Sequence, residues 1–459
     1  MLHLLCTILS DDLGTLYRIA LTSRFLSTIA LPVLYSSLTE FPSDIDDEDR
    51  LAQDATSVKK WSSLWRSLAF SVLKPNSTAA NYAASIKVLN LRDLYSLMEE
   101  FRSWRGQETR TAFFSGGLEH CNKSRKVTIG RVQEIFDVNL STDLLTDIIV
   151  AGTRVCTVLI RQTIEMANQD PGHLHRWLSH MPALQALQVF SGQGLEDERV
   201  RTAIQLCPNL KSVEMYHWPE AAGSDFAAFL SSITGPGLER LVIKKAPFFE
   251  QLSLSALSHF HGATLTDLEL LETEASFVNA LGIGTSITNL RSCSIKPQRG
   301  VILDEETLIR RVADFFTRNT KLEKLSLRIE FAEPFLSQVL PSLHLKSLTL
   351  FDLFDARDLC SAIPSQSNSL EEFQLDSTTE AALALDIFSE PEVFLDAICS
   401  LPKLKRLRIN YSFLIGDWEI ERIVNNCPQL TDLYVASLAL SNMGLRALCR
   451  LSDLTTFSN

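Results

Sequence analysis

The chain repeats one short pattern of apolar and polar positions. In Leu404-Lys405-Arg406-Leu407-Arg408-Ile409 the order is apolar, two polar, apolar, polar, apolar. The same order returns at Leu184/Leu187/Val189, Leu210/Val213/Met215, Leu238/Leu241/Ile243, Leu265/Leu268/Leu270 and Leu290/Cys293/Ile295. It continues at Leu322/Leu325/Leu327, Leu345/Leu348/Leu350, Leu370/Phe373/Leu375 and Leu430/Leu433/Val435. Val155/Val158/Ile160 is read as an opening member, and Leu454 with Phe457 begins one more. Alternate residues of a strand share a face, so the fourth and sixth positions point inward together, joined by the first at the turn into the strand. Amphipathic helices are expected between the strands. Leu308, Val312, Phe315 and Phe316 make one such face, Asp417 is a candidate N-cap, and Pro391 fits a first helical turn. Helices are expected to stop near Cys207-Pro208, Leu401-Pro402 and Cys427-Pro428.

The interval between first positions averages about 27 residues, within the roughly 20–29 of leucine-rich repeats, and the chain resembles that family from residue 151 to 459. One unit cannot bury its apolar face alone; stacked units make a continuous core. The expected fold class is therefore α/β: a leucine-rich-repeat solenoid with parallel strands on the concave face and helices on the convex face. The ninth position, often Asn or Cys in that family, is here variable (Gly192, Trp218, Ala246, Thr273), so no asparagine ladder is expected. Longer insertions are expected at 296–306 and 376–394.

Residues 1–41 read as a small all-α unit. Leu4, Leu5, Ile8 and Leu9 form one helical stripe, and Leu16, Ile19, Ala20 and, after a break, Phe25 form another. Ala20-Leu21-Thr22-Ser23-Arg24-Phe25 and Ala30-Leu31-Pro32-Val33-Leu34-Tyr35 resemble an F-box, in particular those opening fungal F-box/leucine-rich-repeat proteins. The family's opening Leu-Pro is missing and Met1 falls inside its first helix, so the F-box is expected to be N-terminally shortened. The resemblance implies docking to a Skp-type adaptor of a cullin–RING (SCF) ubiquitin ligase, through Leu4, Leu5, Ile8, Leu16, Ile19, Ala20 and Leu34. The competing reading is an N-terminal cap for the solenoid. Residues 42–60, with Ser43-Asp-Ile-Asp-Asp-Glu-Asp-Arg50, read as an acidic linker, and 61–150 as helical, degenerate first repeats with an irregular stretch at 108–127. The Leu454/Phe457 strand has no polar capping helix after it, so the array is expected to be cut short at one or both ends, or to associate through that edge.

Composition narrows the function. A net charge of −12 argues against nucleic acid as the main ligand. Nine cysteines without a CxxC pair favour a reducing compartment, cytoplasm or nucleus, over a disulfide scaffold. No run of about 18 apolar residues suggests a membrane span. His173, His175, His180, His259 and His261 lack a convincing set of further ligands and read as surface or capping residues, with no metal and no cofactor expected. No nucleophile elbow, phosphate loop or cysteine-nucleophile signature occurs, and a non-catalytic protein is expected. The first functional reading is a substrate receptor binding an unknown protein target on the concave sheet. The second is a free-standing interaction scaffold; an enzyme is third. Third, fifth and seventh positions have no core duty, and aromatics and arginine dominate binding hot spots. Tyr216, Lys296, Arg328, Phe351, Arg408 and Tyr434 are accordingly the candidate target contacts. Arg406 is expected to be satisfied by Glu372 and Asp432, whereas Arg408 lies between Gln374 and Tyr434.

Overall fold

A computed structural model describes residues 2–9, 12–38, 55–75, 78, 81–103, 106–129, 131–153, 157–160, 172–192, 194–218, 223–247, 249, 251–281, 286–301, 303, 305–351, 357–376, 391–410 and 414–458. The chain divides into two compact units, Met1–Met215 with Ser232–Pro236, and Tyr216–Ser231 with Gly237–Asn459.

The first unit opens with helices α1 (Leu2–Ile8), α2 (Leu13–Thr22) and α3 (Arg24–Ser36). Asp12 caps α2, its carboxylate accepting the Thr15 N–H at 2.9 Å and the Thr15 hydroxyl at 2.6 Å. Cys6, Leu16, Ala20, Ala30, Val33 and Leu34 form the interior of this bundle. α3 runs directly into strand β1 (Ser37–Leu38), which pairs in parallel with β2 (Val88–Asn90). Tyr35, near the end of α3, stacks on Tyr82 at 4.6 Å and shares a 2.8 Å hydrogen bond with Ser67 on the helix Ala55–Leu73. The helical unit is thus anchored by ring stacking, a part-buried hydrogen bond and a sheet ladder. An antiparallel hairpin of β3 (Ser124–Ile129) and β4 (Arg131–Phe136) follows, then β5 (Thr157–Ile160), β6 (Ala186–Ser191) and β7 (Ser212–His217). β5 pairs in parallel with β2 and β6, and β7 extends the sheet beside β6.

The second unit carries β8 (Arg240–Lys245), β9 (Asp267–Thr273), β10 (Ser292–Pro297), β11 (Lys324–Arg328), β12 (Ser347–Phe351), β13 (Glu372–Asp376) and β14 (Arg406–Asn410). A short pair, β15 (Ile415–Gly416) with β17 (Leu438–Ala439), flanks β16 (Asp432–Val435), and β18 (Thr456–Ser458) comes last. From β8 to β14, and on through β16 and β18, each strand pairs in parallel with the next. Equivalent repeat positions lie opposite one another: Leu325 faces Leu348, then Phe373, Leu407 and Leu433. The chain is a leucine-rich-repeat-like α/β solenoid. All ten triplets from Leu184 to Val435 are buried. Leu454 is half-buried and Phe457 is 39% exposed, so the closing pair is not core. Val155 and residues 377–390 of the second insertion lie outside the described residues.

Several expectations need correction. Position nine is mixed: Gly192, Trp218, Ala246 and Thr273 are buried, Gln298 is exposed and Leu438 half-buried, and Trp218 leads an aromatic row through Phe226 (4.9 Å), Phe249 (5.6 Å) and Phe277 (5.7 Å). The polar ladder sits instead at the helix ends. Asn319 accepts the Leu290 N–H at 3.0 Å and donates to the Ile287 and Phe315 carbonyls. His261 accepts the Leu238 N–H at 3.2 Å and reaches the Leu230 carbonyl, and Gln366 accepts the Leu345 N–H at 3.0 Å. Cys207 and Cys427 aim their thiols at the Leu178 and Ile398 carbonyls from corresponding positions. Each reaches back to the preceding repeat and satisfies backbone groups that a buried helix end leaves open. Burial keeps His261 neutral by pulling its pKa below the ordinary value, against the bond to Leu230. Residues 108–127 are largely regular, with a helix at Gln107–Phe114 and a 3-10 turn at Glu119–Cys121 before β3. Residues 55–60 belong to the helix Ala55–Leu73 and not to a linker; 39–54 lie outside the described residues. The N-cap near 417 is Gly416, whose N–H is accepted by Glu419 at 2.9 Å, while the Asp417 carboxylate binds the Ser441 and Gly444 N–H groups of the next repeat.

Candidate functional surfaces

Two surfaces are candidates, one in each unit. In the first, the helical bundle turns large apolar side chains to solvent. Leu4 is 64% exposed, Ile8 70%, Leu21 68% and Phe25 65%, with Leu2, Leu5 and Tyr17 also exposed. α1 buries only Cys6 among its apolar residues, because a two-turn helix packed on one neighbour can cover only a narrow stripe. The seven residues selected from sequence therefore divide. Leu4, Leu5 and Ile8 are outward, Ile19 is half-buried, and Leu16, Ala20 and Leu34 are interior. The last three hold the bundle together and are not contact residues in this conformation. Leu21 and Tyr17 were missed because the α2 stripe was read from its inner side, and Phe25, read as continuing that stripe, instead opens α3 and is outward.

The second surface is the sheet face built by third, fifth and seventh positions of the second unit. Arg408 is exposed, lies between Gln374 and Tyr434 in register, and sits over the Tyr434 ring at 4.8 Å. Arg406 forms an ion pair with Glu372, its neighbour on β13. Lys296 projects its ammonium onto the ring of Phe351, 3.5 Å from the centroid, although the two residues lie on strands separated by β11. Arg328, on that intervening strand and paired with Phe351, donates to the Pro297 carbonyl. Tyr216 stands apart from these, 40% exposed, with Lys245 over its ring at 5.4 Å. Five of the six selected residues thus fall into two pairings of cation and ring, Lys296–Phe351 with Arg328, and Arg408–Tyr434.

Sequence reasoning did not find the bulge beside Lys296. Lys296 pairs with Leu271 but Pro297 pairs with Thr273, leaving Glu272 as an extra residue at φ 53°. A non-glycine residue in that region is uncommon, and bulges re-aim neighbouring side chains. Burial pulls the Lys296 ammonium down to about 8, with Glu269 opposing the shift and Lys244 adding to it. Glu269 is engaged by Lys244 at 2.7 Å. Asp376 accepts from Gln374 at 2.7 Å and Asn410 at 2.6 Å.

Among the described residues no group of three metal-ligating side chains converges. No described helix is long and apolar enough to cross a membrane. The sequence matches no protein-family model, and it matches no curated protein. Among solved structures, the chain is similar to one in the crystal structure of the Rad7 and Elc1 complex in yeast. The identity is 16% and the TM-score 0.43, over 92% of this chain and 99% of that one. It is also similar to a chain of the TLR13–ssRNA13 complex, at 12% identity and a TM-score of 0.25, over 83% of this chain and 45% of that one. At these levels of similarity neither neighbour bears on function.

Proposed function

We propose that the chain is the substrate-recognition subunit of a cullin–RING (SCF-type) ubiquitin ligase. α1–α3 dock the Skp-type adaptor, and the sheet face of the repeats holds a protein target. The chain makes no bonds itself. The observation that carries this reading is the outward apolar surface of the bundle. Leu4, Ile8, Leu21 and Phe25 are each about two-thirds exposed, on a unit whose Ala20–Phe25 and Ala30–Tyr35 segments resemble an F-box. Exposed apolar surface of this kind marks partner sites. Fully burying one such side chain contributes about 1.5–3 kcal/mol, so covering what remains exposed on several offsets a large part of the cost of association.

The test is capture of a Skp-type adaptor by the full chain and by a Leu4→Asp/Ile8→Asp double variant. Both positions are outward, so the variant keeps its fold. The expected result is strong capture by the parent and loss by the variant. Equal capture by both, or none by the parent, removes the ligase reading. A variant at Leu16 does not serve, since Asp at that buried position unfolds the bundle.

A further inference from the structure

Lys296 is a half-buried cation. Among the described residues no carboxylate lies within ion-pair distance of it, and its contact is the Phe351 ring. The two described carboxylates that act on it are occupied, Glu269 by Lys244 and Asp376 by Gln374 and Asn410. A desolvated ammonium in that situation is costly, and burial already draws its proton affinity down. The bulge at Glu272 lies directly beside it.

We propose that Lys296, Arg328 and Phe351 form a seat for one carboxylate, carried by an Asp or Glu side chain of an extended segment of the protein target. This rests on reading the repeat sheet as the target-binding face. Phe351 lines the seat and keeps water from one side, Lys296 supplies the ammonium, and Arg328 adds a guanidinium on the strand between. A singly charged carboxylate suits the seat better than a dianionic phosphate, because the Glu269 and Asp376 carboxylates also act on Lys296 and would repel a second negative charge.

The experiment selects peptides from a random display library on the folded full chain. The selected sequence is then synthesised with its acidic residue as Glu, Gln or phosphoserine. Binding of each is measured to the parent and to Lys296→Met, which keeps the packing on Phe351, with Lys296→Arg as the charge-retaining control. An acidic residue enriched at one position is expected. Glu→Gln in the peptide lowers affinity about tenfold in the parent and leaves it unchanged in Lys296→Met, the size of a single charge-assisted contact. Lys296→Arg retains the preference for Glu.

Equal binding of the Glu and Gln peptides by the parent overturns the seat, as does tighter binding of phosphoserine than Glu. So does an unchanged Glu preference in Lys296→Met, or a selection that yields no binder. Peptides that need Arg408 and Tyr434 but ignore Lys296 overturn the seat while keeping the sheet as the target face. Adaptor capture by the bundle is read separately and is untouched by either result.

Discussion

Asn319 offers the sharpest test of how the repeats are held together. Its side chain is fully buried and makes three hydrogen bonds to backbone groups, two of them in the preceding repeat. Asn319→Ala strands the Leu290 N–H and the Ile287 carbonyl. The Phe315 carbonyl, inside its own helix, suffers less. A buried donor or acceptor left unsatisfied costs about 1–3 kcal/mol, so two put the loss at roughly 2–5 kcal/mol once partial relaxation and water entry are allowed for. The nearby Asn289 makes an ideal control. It is half-buried, donates to the Ala263 carbonyl at 2.8 Å and accepts from Lys321 at 2.9 Å, where solvent can replace either bond, so Asn289→Ala is expected to cost about 0.5 kcal/mol or less. Urea titration of the full chain gives the global change. Native-state hydrogen exchange at the Leu290 amide localises it, which matters because arrays of repeats depart from two-state unfolding. Exchange at Leu290 should quicken in Asn319→Ala and stay unchanged in Asn289→Ala. A loss below about 1 kcal/mol with Leu290 still protected would refute the reasoning that this residue closes the seam.

Asp143 gives a pH prediction. Burial, then Asp147, pushes its carboxyl up to about 7, partly offset by Arg176. A folded pKa above the unfolded one means that stability is present below about pH 4 and is lost as pH rises towards 7. Asp143→Asn should therefore melt with the parent near pH 4 and exceed it by roughly 2–4 kcal/mol at pH 8, checked by thermal melts across that range. Gly237→Ala should destabilise by about 2 kcal/mol or more, since its φ is +108° and a Cβ would meet the Thr264 hydroxyl at 2.4 Å; denaturant midpoints measure it. Arg406→Ala should cost about 0–1 kcal/mol, its pair with Glu372 being largely exposed, and should leave peptide binding intact.

The repeat positions were legible because they obey two rules at once, the period of two in a strand and the longer period of the array. Every first, fourth and sixth position from Leu184 to Val435 is interior for that reason. The seam of His261, Asn319 and Gln366 was not legible. Those residues differ in chemistry and sit three or four residues before a repeat begins, and apart from Cys207 and Cys427 the seam residues share no letter. Asn319 in Arg318-Asn319-Thr320 reads as an ordinary helix end until its partners in the preceding repeat are known. In the bundle the stripes were visible but their direction was not. Leu16 and Ile8 carry equal hydrophobicity, and only packing against α3 separates an interior leucine from an outward isoleucine. The Lys296–Phe351 contact skips a strand, which no nearest-neighbour register anticipates.

The unstaggered ladder has a geometric consequence for anything lying across it. Along the sheet a new strand arrives about every 4.8 Å, whereas an extended peptide presents same-side residues about every 6.6 Å. Two rulers with those divisions disagree at most marks and coincide after about 19–20 Å, four strands against six residues. β10, which carries Lys296, and β14, which carries Arg408, are four strands apart. A straight ligand can therefore meet both with side chains six residues apart in its own sequence, while the strands between face its backbone out of step.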